Sequence, residues 1–262
     1  MVDFGLVTAN FDAILLIFIR MTGLFVLSPV FGRQNMPAIF KIGFSFFLTI
    51  IFVNTVDGFS LDYQDSLVLY MVYVAKELAI GIIMGYVTYV VVSGLYLAGQ
   101  LIDMQVGFSF ANVVDPITNI QVPLTSNFYY TYFILVFLLI NGHHMLIRAL
   151  FYSFQVLPVE KMTFSSAVIP ELTTLLADMF GIALRIAAPI ICAIFIADVV
   201  LGILSKTMPE MNVFMLGMPI KIIIGLIIMT ITISASVAIA EGLVGIMQEK
   251  IVVFFQAMGS GG

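Results

Sequence analysis

The sequence predicts an all-α, polytopic membrane protein made of long, kinked helical hairpins. Hydrophobic residues occupy 62% of its 262 positions and charged residues only 10%, whereas soluble domains average about 45–50% apolar and about 25% charged residues. The apolar residues also come in long runs without a regular polar face. Lipid or hydrophobic partner proteins must therefore cover them.

Seven segments are predicted to be helical. A membrane-spanning helix needs about 20 largely apolar residues to cross a hydrocarbon core of about 30 Å. The three charge-free stretches that satisfy this are Leu78–Ile102, Leu124–Gly142 and Ile222–Ala240. Three other apolar segments are short or carry charges or proline and are not simple spans, namely Phe11–Phe31, Ile42–Val56 and Leu172–Leu204. The amphipathic segment His144–Leu157 is expected at the interface or as half of a hairpin.

No sequence feature points to catalysis, nucleic acid or a cofactor. The ten Lys and Arg residues lie singly along a chain of net charge −5, so no basic patch is available for a phosphate backbone. Cys192 is the single cysteine and cannot form an intramolecular disulfide. His143 and His144 are adjacent and point in different directions, which favours a structural role over a metal site. Hydrolase and nucleotide-binding motifs are also absent, so we expect no enzyme.

Charged residues lie within or beside the apolar segments, where a central charge costs about 2.5–3.5 kcal/mol. One interpretation is a proton or ion relay, as in a transporter. The other is polar contact between packed subunits, which we favour because acidic and basic residues alternate without converging. The residues predicted to serve subunit packing are Arg20, Lys76, Glu77, Arg185, Asp198 and Glu241, with Asp178 in the same class of charges.

Two residue patterns have a functional and a plain interpretation. Gly81 and Gly85 form a GxxxG pattern, which permits close helix approach in membranes but also arises by chance in a glycine-rich chain. Methionines near position 210 form either an adaptable surface or an ordinary loop packed on a neighbouring subunit. They are Met208, Met211, Met215 and Met218.

The segment 99–127 fits neither a solvated loop nor a membrane span. Irregular backbone beside lipid leaves polar groups unsatisfied unless protein buries it or it lines a water-filled cavity. We predict a re-entrant or pore-closing loop, with an ordinary loop packed on its neighbours as the alternative. The candidate pore-loop residues are Asp103, Gln105, Phe108, Ser109, Phe110, Asn112, Asp115 and Gln121.

Seven ordered motifs resemble those of the FliR family, the R-type export-gate subunits of flagellar type III protein secretion. The loop carries the most distinctive one, LIDMQVGFSFANVVDP at 101–116. Because the motifs run from 28 to 225, their match is more specific than a single motif, and it favours flagellar over virulence-type secretion. The others are SPVFG at 28–32, Pro37 with KIG at 41–43, KELAIGIIMG at 76–85, NGHHMLI at 141–147, ADVVLGILSKTMPEMNVF at 197–214 and LGMPIKIIIG at 216–225.

The resemblance implies a channel-forming part of the flagellar export gate, in the inner membrane at the flagellar basal body. One copy would join P-type and Q-type subunits in a helical assembly that passes unfolded flagellar proteins. The B-type switch protein and membrane lipid are further expected partners. In this family the loop matching 108–121 plugs the closed pore.

The resemblance also implies a domain plan. Residues 1–262 would form one integral membrane domain, with a P-subunit-like part (1–157) that holds the plug loop and a Q-subunit-like helical hairpin (158–258). The tail 259–262 has the composition of a flexible linker, either an added remnant or a junction to a further domain.

A short loop is predicted to contact other subunits through Pro209, Glu210, Asn212 and Phe214. The chain departs from the family pattern at Glu210, where glutamine is usual, so we transfer no hydrogen-bond role to that position. The competing function is a secondary transporter that uses the intramembrane charges. The lack of a convincing inverted repeat argues against it, and a membrane-embedded enzyme ranks third.

Overall fold

A computed structural model describes residues 11–32, 36–53, 55, 67–108, 123–158, 166–210 and 212–259, except for the side chains of 213–214 and 234–236. Within these residues the chain forms seven α-helices and no strand, which confirms the all-α prediction. The helices are α1 (Phe11–Leu27), α2 (Ala38–Val53), α3 (Leu67–Val106), α4 (Leu124–Leu139), α5 (Gly142–Val156), α6 (Val168–Thr207) and α7 (Val213–Gly259).

Three long helices extend beyond the predicted segments, and the longest is α7, whose 47 residues contain the predicted span Ile222–Ala240. The predicted span Leu78–Ile102 lies inside α3, which has 40 residues. The prediction of irregular structure for 99–127 was therefore wrong at both ends, because α3 continues to Val106 and α4 begins at Leu124. α6 also has 40 residues and continues through Pro189, so the charges and proline of this segment do not interrupt it.

The predicted span Leu124–Gly142 is divided into two helices. α4 ends at Leu139, and Asn141 has a left-handed backbone with φ 59°, a conformation that asparagine tolerates better than most residues. The 16 residues of α4 extend about 24 Å, which is less than the hydrocarbon core of about 30 Å. α4 alone is therefore too short for the span predicted there.

Within the described residues, three helical stretches are long and apolar enough to cross a membrane. They are Leu67–Val106, Val168–Thr207 and Met215–Ile233, and the α4–α5 pair would add a fourth as one broken span. These helices fit a polytopic membrane protein, as the sequence predicts.

The chain divides into two compact units that are each built from separate stretches. The first unit contains 1–90, 141–175 and 245–262, and the second contains 91–140 and 176–244. Both units draw on both halves of the sequence, so the division into 1–157 and 158–258 remains a prediction.

In the first unit, α1 and α3 pack in parallel at very close range through glycines. A Cβ atom on Gly81 would lie 2.1 Å from the carbonyl oxygen of Arg20, and one on Gly85 would lie 2.9 Å from the carbonyl oxygen of Leu24. Neither backbone oxygen can give way, so only glycine permits this approach. The Gly81–Gly85 pattern therefore packs two helices of the same chain.

The SPVFG motif forms the tight turn that ends α1. The Gly32 N–H donates to the carbonyl oxygen of Ser28 at 2.6 Å, and a Cβ on Gly32 would lie 2.5 Å from the same oxygen. Behind the turn, the rings of Phe25 and Phe31 lie 4.8 Å apart, and Phe44 of α2 lies 5.4 Å from Phe25. These contacts pack α2 against α1 in antiparallel orientation.

In the second unit, α6 and α7 form an antiparallel helical hairpin, with a turn at 209–210. A Cβ atom on Gly217 would lie 3.2 Å from a methyl of Leu201, and Lys221 forms an ion pair with Asp198. α3 and α4 pack in the same unit, where their ends flank the 107–123 segment.

Candidate functional site

The second unit brings together the two ends of the 107–123 segment. We call residues 103–107 and 123–126 the loop neck. Asp103 is only 4% exposed, and its two carboxylate oxygens accept the backbone N–H of Thr125 at 3.1 and 3.2 Å. Pro123 precedes α4 without a side-chain cap, so Asp103 supplies the acceptor and the negative charge that a helix N-terminus favours.

Ser126 of the loop neck also contacts the preceding turns of α3, at Tyr96 and Gly99. The Ser126 hydroxyl donates to the carbonyl oxygen of Tyr96 at 2.8 Å, and a Cβ atom on Gly99 would lie 2.3 Å from the Ser126 nitrogen. At the end of α3, Gly107 adopts φ 98° and donates its N–H to the carbonyl oxygen of Asp103 at 3.1 Å, which is a usual helix-ending role for glycine. The loop neck is thus bonded across its base.

A polar group links the loop neck to the α6–α7 hairpin. The Gln105 amide donates to an Asp198 carboxylate oxygen over a long 3.5 Å, and the same carboxylate forms the ion pair with Lys221. The Lys221 and Asp198 side chains are 24% and 34% exposed. Two charges in apolar helices thus neutralise each other and contact the end of α3.

A cleft of about 450 Å³ adjoins this group. Its walls come from the end of α3 and from facing positions of α6 and α7 in the same unit. The residues around it include Met104, Gln105, Asp198, Ser205, Met218 and Lys221.

Several predicted pore-loop residues fall outside the described residues. Asp103, Gln105 and Phe108 are described, and the first two are part of the loop neck. The other five are Ser109, Phe110, Asn112, Asp115 and Gln121, and the plug assignment stays a prediction for all eight residues.

The predicted subunit-contact loop is exposed where it is described. Pro209, Glu210 and Asn212 all lie at the surface, while the side chain of Phe214 is outside the described residues. The Asn212 side-chain oxygen accepts the backbone N–H of Met215 at 3.3 Å, so this residue caps α7. Contact with another subunit stays a prediction.

Arg20 and Glu77 form a pair in the core of the first unit, and both are 0% exposed. Arg20 donates to both carboxylate oxygens of Glu77 through Nε and Nη2. It also donates to the Ser153 hydroxyl at 2.9 Å and to the carbonyl oxygen of Leu157 at 3.0 Å. Its guanidinium carbon lies 4.0 Å from the ring centre of Phe154.

This burial reduces the set of intramembrane charges that can contact another subunit. Arg20 and Glu77 have no surface to offer another chain, so their polar contacts are internal. Lys76 is half-buried, and Arg185 and Glu241 are exposed. Subunit contact remains a prediction for these three and for Asp198.

Three residues of the site were missed by sequence reasoning, namely Thr125, Ser126 and Lys221. A signal existed for Lys221, because it and Asp198 each lie 11 residues from the Pro209–Glu210 turn. An antiparallel hairpin places such equidistant residues opposite each other. For Thr125 and Ser126 the contacts depend on the packing of α3 on α4, which no local pattern marks.

No group of His, Cys, Asp and Glu side chains suited to a metal ion occurs in the described part of the chain. The rings of His143 and His144 lie 4.2 Å apart at a tilt. What the site offers is charge pairing and helix capping around a loop base.

Comparison with known sequences identifies the protein family of this chain. The model of the family described as "Bacterial export proteins, family 1" matches residues 11–247. A flagellar biosynthetic protein FliR from Bacillus subtilis strain 168 is 38% identical over 229 residues, which cover 86% of this chain and 87% of that protein. The FliR proteins of Escherichia coli K12 and Aquifex aeolicus VF5 are 25% and 27% identical, over 80% and 84% of each chain. Because the family model matches residues 11–247, the chain belongs to the bacterial export protein family 1.

Proposed function

We propose that the chain is the channel-forming R-type component of the flagellar protein export gate. The family match over 11–247 carries this proposal, and the relatives' names place them in flagellar biosynthesis. The apolar helices fit a multi-pass protein of the inner membrane. The chain is thus a flagellar export component, and passage of unfolded flagellar proteins is its proposed activity.

The proposed partners are P-type and Q-type subunits, around one copy of this chain. Large apolar surfaces of α6 and α7 support the need for partners or lipid. Only 28% of the most apolar stretch of α6, and 17% of that of α7, is buried within the chain. Exposed apolar surface of this extent requires a cover, which neighbouring gate subunits and lipid would supply. The B-type switch protein is a further proposed partner.

We propose that the 108–121 loop acts as the plug of the closed channel. The bonded loop neck supports this role, because it fixes where the loop leaves α3 and enters α4. A plug must be anchored firmly at its base to close a pore reproducibly. The contacts from Asp103 and Ser126 provide such an anchor.

The transporter alternative finds less support. A proton relay needs titratable groups that exchange protons along a path. Arg20 and Glu77 are instead fully buried and bonded to each other in a bidentate pair. We propose no catalytic role, in keeping with relatives whose names describe flagellar biosynthesis.

Complementation tests the proposed function. The chain is introduced, with the P-type and Q-type genes of its own organism, into a flagellated bacterium that lacks its own R-type, P-type and Q-type genes. We expect flagellar proteins to appear in the medium and motility to return. The same strain without this chain is the control. Stable membrane insertion of all three proteins without any export would contradict the proposal.

Deletion of residues 108–110 tests the plug. We expect vesicles that contain the mutant complex to leak small ions more than vesicles with the wild-type complex, because the closed pore loses its apolar obstruction. Protein-free vesicles set the baseline. Unchanged leakage from a correctly assembled mutant complex would remove the plug role and leave the subunit assignment standing.

A further inference from the structure

We propose that Gln105, Asp198 and Lys221 form a latch that holds the loop neck against the α6–α7 hairpin and keeps the export channel closed. The proposal rests on the proposed function, because it assigns these residues a positioning role in gating. They would act through the position of the loop, without contacting the exported protein.

The first step concerns the two charges of the latch. Asp198 and Lys221 lie within the apolar helices α6 and α7, where an unpaired charge is costly. Their ion pair joins the two arms of the hairpin. Both side chains are partly exposed at the surface of the chain, so no packed core encloses the pair. A pair of this kind can open and close again, which a fully buried pair does not do readily.

The second step concerns the shared carboxylate. A carboxylate has about four acceptor positions, so Asp198 can bind the Lys221 ammonium and the Gln105 amide together. The contact with Gln105 is long, at 3.5 Å. The position of Asp198 is therefore set mainly by Lys221, and Gln105 follows it. Loss of the ion pair would weaken this polar link and leave the packing of Val106 on Gly225 as the described contact between the end of α3 and α7.

The third step is that the loop neck moves as one piece. Asp103 bonds the end of α3 to Thr125 at the start of α4, and Ser126 bonds back to Tyr96. A displacement at Gln105 is therefore passed to both ends of the loop. Gly107, with φ 98°, provides a turn just beyond the latch where the direction of the chain changes.

The fourth step is that there is room for such a movement. The cleft of about 450 Å³ lies beside the latch, and a water molecule takes up roughly 30 Å³ in the liquid. Met104 and Met218 contribute to its walls, and unbranched methionine side chains adapt easily to a changed shape. The end of α3 thus has open space beside Met104 and Gln105, while Asp103, Val106 and Thr125 remain buried.

Charge reversal tests the latch in the assembled complex with P-type and Q-type subunits. The single variants Asp198→Lys and Lys221→Asp each place two like charges side by side. We expect the ratio of closed to open channels to fall roughly fivefold. This corresponds to about 1 kcal/mol, since about 1.4 kcal/mol changes an equilibrium tenfold. The readout is ion leakage from vesicles that contain the complex. Gln105→Leu removes only the hydrogen bond from the loop neck to Asp198. We expect this variant to leak similarly.

The double variant Asp198→Lys with Lys221→Asp restores the pair in reverse. Its leakage should return toward the wild-type level, because the Gln105 amide can offer its oxygen to an ammonium group as readily as its NH₂ to a carboxylate. Glu249→Gln removes an exposed carboxylate elsewhere on α7 and is the control, with wild-type leakage expected.

Two results would overturn the latch. One is wild-type leakage from assembled single variants and from Gln105→Leu, and the other is a charge-swapped double variant as leaky as the singles. If a single variant does not assemble, Gln105→Leu and the double variant still decide. A wild-type complex that neither assembles nor exports would instead count against the proposed function.

Discussion

Arg20 lies in an apolar helix, and its charge is satisfied entirely within the chain. Glu77 neutralises it, Ser153 and the Leu157 carbonyl group accept two further N–H bonds from it, and the Phe154 ring covers its face. Arginine suits this position because its planar fork matches a carboxylate in two parallel bonds. The residue therefore ties α1 and α3 to the end of α5.

We predict that Arg20→Met and Glu77→Met each lower the unfolding free energy by about 3–5 kcal/mol, because each leaves a buried charge without its partner. The double variant Arg20→Met with Glu77→Met should lose much less than the sum, since it buries no lone charge. A denaturation series in detergent measures this double-mutant cycle. Arg148→Met, at an exposed position of α5, is the matched control. Additive losses would contradict the account.

The sequence indicates that a charge at Arg20 or Glu77 is costly in an apolar segment, but it does not indicate which residue pairs with it. The rarity of charge in apolar segments indicates that Arg20 and Glu77 need partners. Only the parallel packing of α1 on α3 places Glu77 beside Arg20, across 57 positions of sequence. A periodic pattern on one helix carries no information about which helix lies next to it.

At the scale of the elements, glycines decide how closely helices approach. Gly81 and Gly85 let α3 pack on the backbone of α1, and Gly99 does the same for α4 at Ser126. Other glycines have no such function. A Cβ atom on Gly242 would find no neighbour within 4 Å.

We predict that Gly81→Ala destabilises the chain by about 1–3 kcal/mol, because the added methyl forces α1 and α3 apart. Gly242→Ala is the control and should be neutral or stabilising by up to about 1 kcal/mol, since alanine favours helix. The same denaturation series measures both. Equal effects of the two substitutions would contradict the close packing of α1 on α3.

Helix positions were largely predictable and helix ends were not. Long apolar runs indicate where α3, α6 and α7 lie, because an apolar run in a membrane protein is satisfied as a helix. The polar residues Asp103 and Gln105 suggested a loop. They are helical because Asp103 caps α4 and Gln105 contacts Asp198. Tertiary contacts satisfy these side chains, and those contacts have no local sequence signal.

At the scale of the whole molecule, apolar surface is left over after the chain has folded. Arg20 and Glu77 are hidden inside the first unit, while large side chains on α6 and α7 remain exposed, among them Phe195, Ile203 and Ile227. This pair of charges is thus satisfied internally, while many large apolar side chains face outward. This is the reverse of a soluble protein and matches a subunit surrounded by lipid and other apolar chains.

The stoichiometry of the purified complex tests the central claim most directly. The tagged chain is co-expressed with the P-type and Q-type subunits of its own organism, extracted in mild detergent and weighed by native mass spectrometry. We predict a stable complex that contains one copy of this chain together with several copies of the other two. Recovery of this chain only on its own, after all three proteins have been produced and inserted, would contradict the claim.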